Sequence, residues 1–150
     1  MGLAHALAKE SKFDSQAVAN TTHGIANLDE AGRLDATDGS VDAVLAALEG
    51  EAVRVALDMN SQAVANTLWS YATLKRTPED ETWAALEAAA VRVARGMNSQ
   101  EVANTLWSYA TRKRTPGDKT WAALETAAVR VARDMNSQDV ANTLLIESRG

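Results

Sequence analysis

The chain has 150 residues, which allows one compact domain or a short stretch of a repeat array. Its formal charge of -5 argues on its own against a nucleic-acid partner. The absence of cysteine and the presence of only two histidines exclude a disulfide scaffold, a Cys-type zinc site, thiol catalysis and a His cluster for a metal.

Residues 1–12 read MGLAHALAKESK. This apolar stretch is shorter than a secretory core and holds His5, and Glu10 follows soon after. It is read as an amphipathic N-terminal capping helix, with the tail of an organelle transit peptide as the other reading. Nowhere does an apolar run near the roughly 20 residues of a membrane span.

Repetition governs the rest. MNSQAVANTLWSYATLKRTPEDETWAALEAAAVRVARG occupies residues 59–96, and MNSQEVANTLWSYATRKRTPGDKTWAALETAAVRVARD occupies residues 97–134. From Met59 to Met97, and again to Met135, is 38 residues. Residues 13–58 hold a divergent copy that opens FDSQAVANTTHGIANL and closes AVRVALD; at 46 residues it carries an insertion near residues 29–36. Residues 135–150 hold only the first helix of a further copy, MNSQDVANTLL. A fixed period of this size predicts stacked supersecondary units, each unable to bury its own apolar face.

Within each unit the pattern predicts two helices. Asn60 and Ser61 are N-cap types ahead of a stripe of Val64, Leu68, Tyr71 and Ala72, flanked by Ala65 and Trp69. Lys75 and Arg76 suit the negative end of this helix. For the second helix Thr77 is the expected cap and Pro78 the first helical residue, with Glu79 and Asp80 in the first turn. Trp83, Leu86, Ala90 and Val93 form its stripe, and Gly96 is expected to end it in the left-handed conformation. Thr115, Pro116, Trp121, Leu124 and Val131 repeat the scheme. The two intact copies differ at six aligned pairs, including Ala63/Glu101 and Leu74/Arg112, and none falls on a stripe. The fold expected is all-α: an α-solenoid of stacked helical hairpins with a 38-residue repeat.

Two sets of residues are candidates for a ligand. A polar strip on the first helix comprises Gln62, Asn66, Ser70 and Thr73, repeated as Gln100, Asn104, Ser108 and Thr111, and extended by Gln16, Asn20 and Asn142. Stacked copies align such amides so that each can meet the edge of an unpaired base, as in helical-repeat RNA readers. The same amides can instead satisfy neighbouring backbone. The second set is basic: Lys75 and Arg76, then Arg112, Lys113 and Arg114, at one end of each hairpin, with Arg92 and Arg130 on the second helices. Phosphate contacts from such a row give salt-dependent affinity, whereas cations at helix ends also answer the dipole. The arginines of the second helices are read as structural, and the four tryptophans as packing rather than stacking groups. No Gly-rich phosphate loop or HExxH motif is present, and the lone His5 and His23 assemble no catalytic constellation, so no enzyme, metal, cofactor or small-molecule substrate is expected.

The phrase SQ-x-VANTLWSYAT, followed by a second helix opened by a proline and a tryptophan, resembles the helical-hairpin repeats of octotricopeptide-repeat proteins. It is similar also to the helical region of FAST-kinase-like, RAP-type organelle proteins. The resemblance runs from Phe13 to about Leu145, and only Pro78 with Trp83 and Pro116 with Trp121 correspond to the proline-rich opening of the octotricopeptide second helix. It implies single-stranded RNA binding in chloroplast or mitochondrial RNA processing, stability or translation. The alternatives are a protein–protein scaffold whose concave face holds a peptide, and a truncated fragment without autonomous activity. The acidity belongs to the divergent copy, which weakens the charge argument against nucleic acid for the regular repeats without arguing strongly for it: residues 13–58 carry two basic and nine acidic side chains, residues 59–96 four of each, and residues 97–134 six basic and four acidic.

Overall fold

The computed structural model describes residues 13–35 and 39–132. The capping helix expected over residues 1–12, the partial copy over 135–150 and Asn142 lie outside the described residues. Among the described residues the chain is all-helical: α1 (Ser15–Glu30), α2 (Gly39–Val55), α3 (Ser61–Thr73), α4 (Asp80–Val93), α5 (Ser99–Thr111) and α6 (Asp118–Val131). Short 3-10 turns, Ala56–Asp58 and Ala94–Gly96, follow α2 and α4.

The first helices begin as their sequence dictates. Asp14, Asn60 and Asn98 each cap with a side-chain oxygen that accepts from the backbone N–H three residues on, at 2.8 Å in all three. In α5 the Glu101 carboxylate returns the favour to the Asn98 N–H, closing a capping box. Their ends are equally defined. The Arg76 N–H donates to the Tyr71 carbonyl and the Lys75 N–H to the Ala72 carbonyl, which is a Schellman motif. Arg114 and Lys113 repeat it on Tyr109 and Ala110. The left-handed residue of the motif is a lysine both times, Lys75 at φ 56° and Lys113 at φ 54°.

Second helices depart from expectation in two ways. Helix α4 begins at Asp80 with Glu79 as N-cap, so Thr77 does not cap it and Pro78 lies outside it. Neither Glu79 nor Gly117 caps its helix with its own side chain. The cap comes instead from the preceding hairpin: Glu49 Oε1 accepts from the Glu79 N–H at 2.8 Å, and Glu87 Oε1 from the Gly117 N–H at 2.7 Å. Gly96 is not left-handed. It closes the 3-10 turn at negative φ, as Asp58 does in the copy before, so no glycine is required there.

Helix α3 packs along α1 on one side and α5 on the other, with the most extensive helix contacts among the described residues. Helix α4 likewise sits between α2 and α6, and the two helices of each hairpin touch. First helices thus form one layer and second helices another. The core between them contains Val64, Leu68, Tyr71, Leu86, Val102 and Leu106, with Met59 and Met97 from the connecting turns. Small residues on α3 and α5 allow the close approach, and the buried hydroxyls of Thr67, Ser70, Thr105 and Ser108 are satisfied inside the helix, whereas that of Thr73 is buried without a partner. Thr67 donates to the Ala63 carbonyl at 2.7 Å and Ser70 to that of Asn66 at 2.6 Å. Leu45 and Leu48 make a second small cluster in the first hairpin, with Phe13 and Ile25 against it.

Candidate functional site

Covering α3 on three sides leaves one stripe of it in contact with solvent. Of its thirteen residues eight are buried. Gln62 is exposed, and Asn66, Trp69 and Thr73 are half-buried. These four stand at i, i+4, i+7 and i+11, which is one face of a helix. Helix α5 presents Gln100, Asn104, Trp107 and Thr111 in the same classes, and α1 presents Gln16, Asn20, His23 and Asn27.

The expected strip is thereby altered at the serine position, and the hydroxyl of Thr73, whose residue is half-buried, is also turned away from solvent. Ser70 and Ser108 are fully buried, and their hydroxyls donate back to the Asn66 and Asn104 carbonyls. Neither can reach a ligand, because each faces the neighbouring helices one position round from the stripe. Trp69 and Trp107 take the place in the row, although the tryptophans are all expected as packing groups. That expectation holds for Trp83, which is 4% exposed in the core, and for Trp121, which packs on it. Trp69 and Trp107 belong to neither hydrophobic cluster.

Within the row the amides are partly self-paired. Gln16 Nε2 donates to Asn20 Oδ1 at 3.2 Å, and Gln100 Nε2 to Asn104 Oδ1 at 3.5 Å. Both bonds engage the asparagine Oδ1 and the glutamine Nε2, not the asparagine Nδ2 or the glutamine Oε1. His23 lies against Trp69, ring centroids 5.1 Å apart and tilted by 46°.

The basic candidates separate into two groups. Arg76 is tied to the second layer, Nε to Glu49 and Nη1 to Asp42, both at 3.3 Å. Arg114 pairs with Asp80 at 3.5 Å and lies over the Trp83 ring, 4.9 Å from its centroid. Trp83 meets Tyr109 edge-on at 5.0 Å. Arg112 donates to Thr77 Oγ1 at 2.8 Å. Lys75 and Lys113, by contrast, are exposed and make no ion pair among the described residues. Arg92 and Arg130 lie far from the row and clasp the turn of the preceding hairpin. Arg130 donates to the Ala94 and Met97 carbonyls at 3.1 and 2.8 Å, and Arg92 to those of Ala56 and Met59.

Three stretches of the chain are similar to a protein family of unknown function, DUF1601. They are residues 55–68, 86–106 and 126–144, together under half of the chain. The stretches end at Leu68, Leu106 and Leu144, one period apart, and the first two run from the end of a second helix through the turn into the next first helix. They include Gln62, Asn66, Gln100 and Asn104 and stop one residue short of Trp69 and Trp107. No curated protein and no solved structure matches the chain.

Glu49 and Glu87 are the functional surprise for sequence reasoning, which singled out neither. The available signal is the triplet Ala-Leu-Glu, present at residues 47–49, 85–87 and 123–125. An acid kept in mid-helix in each copy, on neither a dipole-favoured end nor a charged face, points to a fixed partner.

Proposed function

We propose that the chain is a stretch of α-solenoid with a 38-residue hairpin repeat, and that it binds single-stranded RNA across the exposed stripe of its first helices. The observation that carries the reading is the pair Lys75 and Lys113. A non-glycine residue in the left-handed region costs about 1–2 kcal/mol, and glycine removes that cost. Two copies bear this cost with a side chain that makes no ion pair among the described residues, at the end of a row of amides and indole rings. Strain of this kind supports a role for the side chain. Extended RNA presents phosphates for the lysines and unstacked bases for the amides and rings. The resemblance to octotricopeptide and FAST-type repeats extends the proposal to chloroplast or mitochondrial RNA processing, stability or translation.

The test is fluorescence anisotropy with a labelled, unstructured RNA pool between 50 and 200 mM salt. Affinity falls with salt, and Lys75→Gly with Lys113→Gly lowers it while shallowing the log–log salt slope by about 1.4, the value for two phosphate contacts on a single strand. The same double variant unfolds at higher denaturant than the parent. Absence of binding at 50 mM salt overturns the RNA reading in favour of a peptide-binding scaffold. An unchanged slope in the double variant removes the lysines from the interface. Arg76 and Arg114 are unsuitable probes, since both also hold the two layers together.

A further inference from the structure

Thr77 carries a hydroxyl that its own helix does not use. The start of α4 is capped by Glu49 of the preceding hairpin, so the threonine is spared that task. It is exposed in the open stretch 76–79 and is followed by the buried Pro78. A residue before proline is held extended, and the proline offers no N–H of its own.

What meets the hydroxyl is an arginine of the next hairpin. Arg112 Nη2 donates to Thr77 Oγ1 at 2.8 Å. The Nε of the same guanidinium is buried without a hydrogen-bond partner, and Arg112 makes no ion pair among the described residues. Asp80, the acid three residues after Thr77, is paired with Arg114 instead. Nη2 and Nε share one edge of the planar fork, an edge that takes two oxygens of an anion side by side. A single hydroxyl fills only one of those two places. The arginine is also particular to this junction, since the preceding copy has Leu74 at the aligned position, packed on the small cluster of the first hairpin.

We propose that Thr77 is a phosphorylation site whose phosphate is held by Arg112 of the next hairpin. In the transfer Thr77 Oγ1 forms a bond to the γ-phosphorus of a nucleoside triphosphate. The bond from that phosphorus to the bridging oxygen breaks, the diphosphate leaves with the electron pair, and the hydroxyl proton passes to a base of the kinase. The product places three acceptor oxygens and a charge of about −1.5 to −2 on the atom that Arg112 already touches. Nε thereby gains the acceptor it lacks. The segment reads Lys-Arg-Thr-Pro, so the enzyme class that fits is a proline-directed kinase, which takes an extended substrate with no donor at the next residue. Modification would tie the end of α5 to the loop before α4 and withdraw Arg112 from any polyanion.

Thr115 supplies the internal comparison. It is exposed within the same four residues, Lys-Arg-Thr-Pro, but no arginine donates to its hydroxyl among the described residues. The experiment uses the full chain with phosphothreonine incorporated at 77 or at 115, and follows each phosphate by phosphorus NMR across pH. The phosphate at 115 titrates near its ordinary value of about 6, and that at 77 about 1 pH unit lower. Glu79 follows Thr77 where Gly117 follows Thr115, and a carboxylate acts in the opposite direction, so a lower value at 77 has the arginine as its cause. Arg112→Leu, which installs the residue of the preceding copy, brings the two titrations together. In parallel, unmodified chain treated with ATP, Mg²⁺ and a proline-directed kinase gains phosphate at Thr77, located by mass spectrometry. Equal titration of the two phosphates in the parent chain overturns the role of Arg112. A folded chain that takes no phosphate at Thr77 overturns the site. Neither readout uses RNA, so failure of the RNA reading would leave this proposal standing, and the reverse.

Discussion

Tyr71 and Tyr109 show how a single polar atom behaves in this core. Each is fully buried, and neither hydroxyl has a hydrogen-bond partner. Burial raises both phenol pKa values well above the ordinary value of 10. The nearby carboxylates of Glu49 and Glu87 raise them further, against the opposing pull of Arg76 and Arg114. A folded-state pKa raised above the unfolded one means that the folded protein holds the proton more tightly. That stability is fully present below pH about 10 and is lost as pH rises beyond it. Tyr71→Phe with Tyr109→Phe removes this part of the alkaline loss. Because an unpaired buried hydroxyl costs about 1–3 kcal/mol, the double variant is also neutral or more stable at pH 7. Urea titrations at pH 7 and pH 10.5 check both statements, and a large loss at pH 7 would show that the hydroxyls have partners.

A second helix without a local cap is the element-scale feature that most distinguishes this chain. Helices α4 and α6 start at residues whose side chains make no cap bond, and each borrows a carboxylate from the hairpin before it. Glu87 accepts from the Gly117 N–H and also from Thr120 Oγ1, both at 2.7 Å. Helix start and neighbour docking are therefore one event. Glu87→Ala removes the cap and leaves a helix end unsatisfied, at a cost of about 1–2 kcal/mol, while Glu87→Gln keeps an acceptor and recovers about half. Chemical denaturation with near-unchanged m-value measures it. The basic turn before these helices has a similar economy. Arg76 and Arg114 bind acids of the second layer and Arg112 donates to Thr77, whereas the left-handed lysines make no ion pair among the described residues.

At the scale of the whole molecule, two polar clasps run in opposite directions between consecutive hairpins. Glutamate reaches forward to the next second helix, and arginine reaches back to the previous turn. Helix α3, flanked by α1 and α5, is buried on all but one stripe. Helix α1 has a first-helix neighbour on one side only among the described residues, and Leu28 on it is 44% exposed. Hydrogen exchange is accordingly expected to be slowest at the amides of residues 67–72 and faster by at least ten-fold in α1. Uniform protection across the layers would mean that the hairpins open only together.

What was legible in the chain follows from local rules. The 38-residue repeat, the stripes Val64–Leu68–Tyr71 and Trp83–Leu86–Ala90, and the asparagine caps all act within one turn of a helix or one face of it. Periodicity and capping chemistry alone determined an all-helical chain of paired helices. Only the tertiary structure decided which polar residues remain outside. Ser70 and Trp69 are adjacent in sequence, and the helix wheel puts both near the polar strip. The close approach of α1 and α5 buries the serine and leaves the indole partly exposed. The same holds for charge. Lys75 and Arg76 read alike as helix-end cations, yet acids of α2, about 30 residues away in sequence, claim one and leave the other. Burial and ion pairing depend on neighbours brought from distant segments, so a residue's type and spacing set what it can do, and its packing partners set whether it is free to do it.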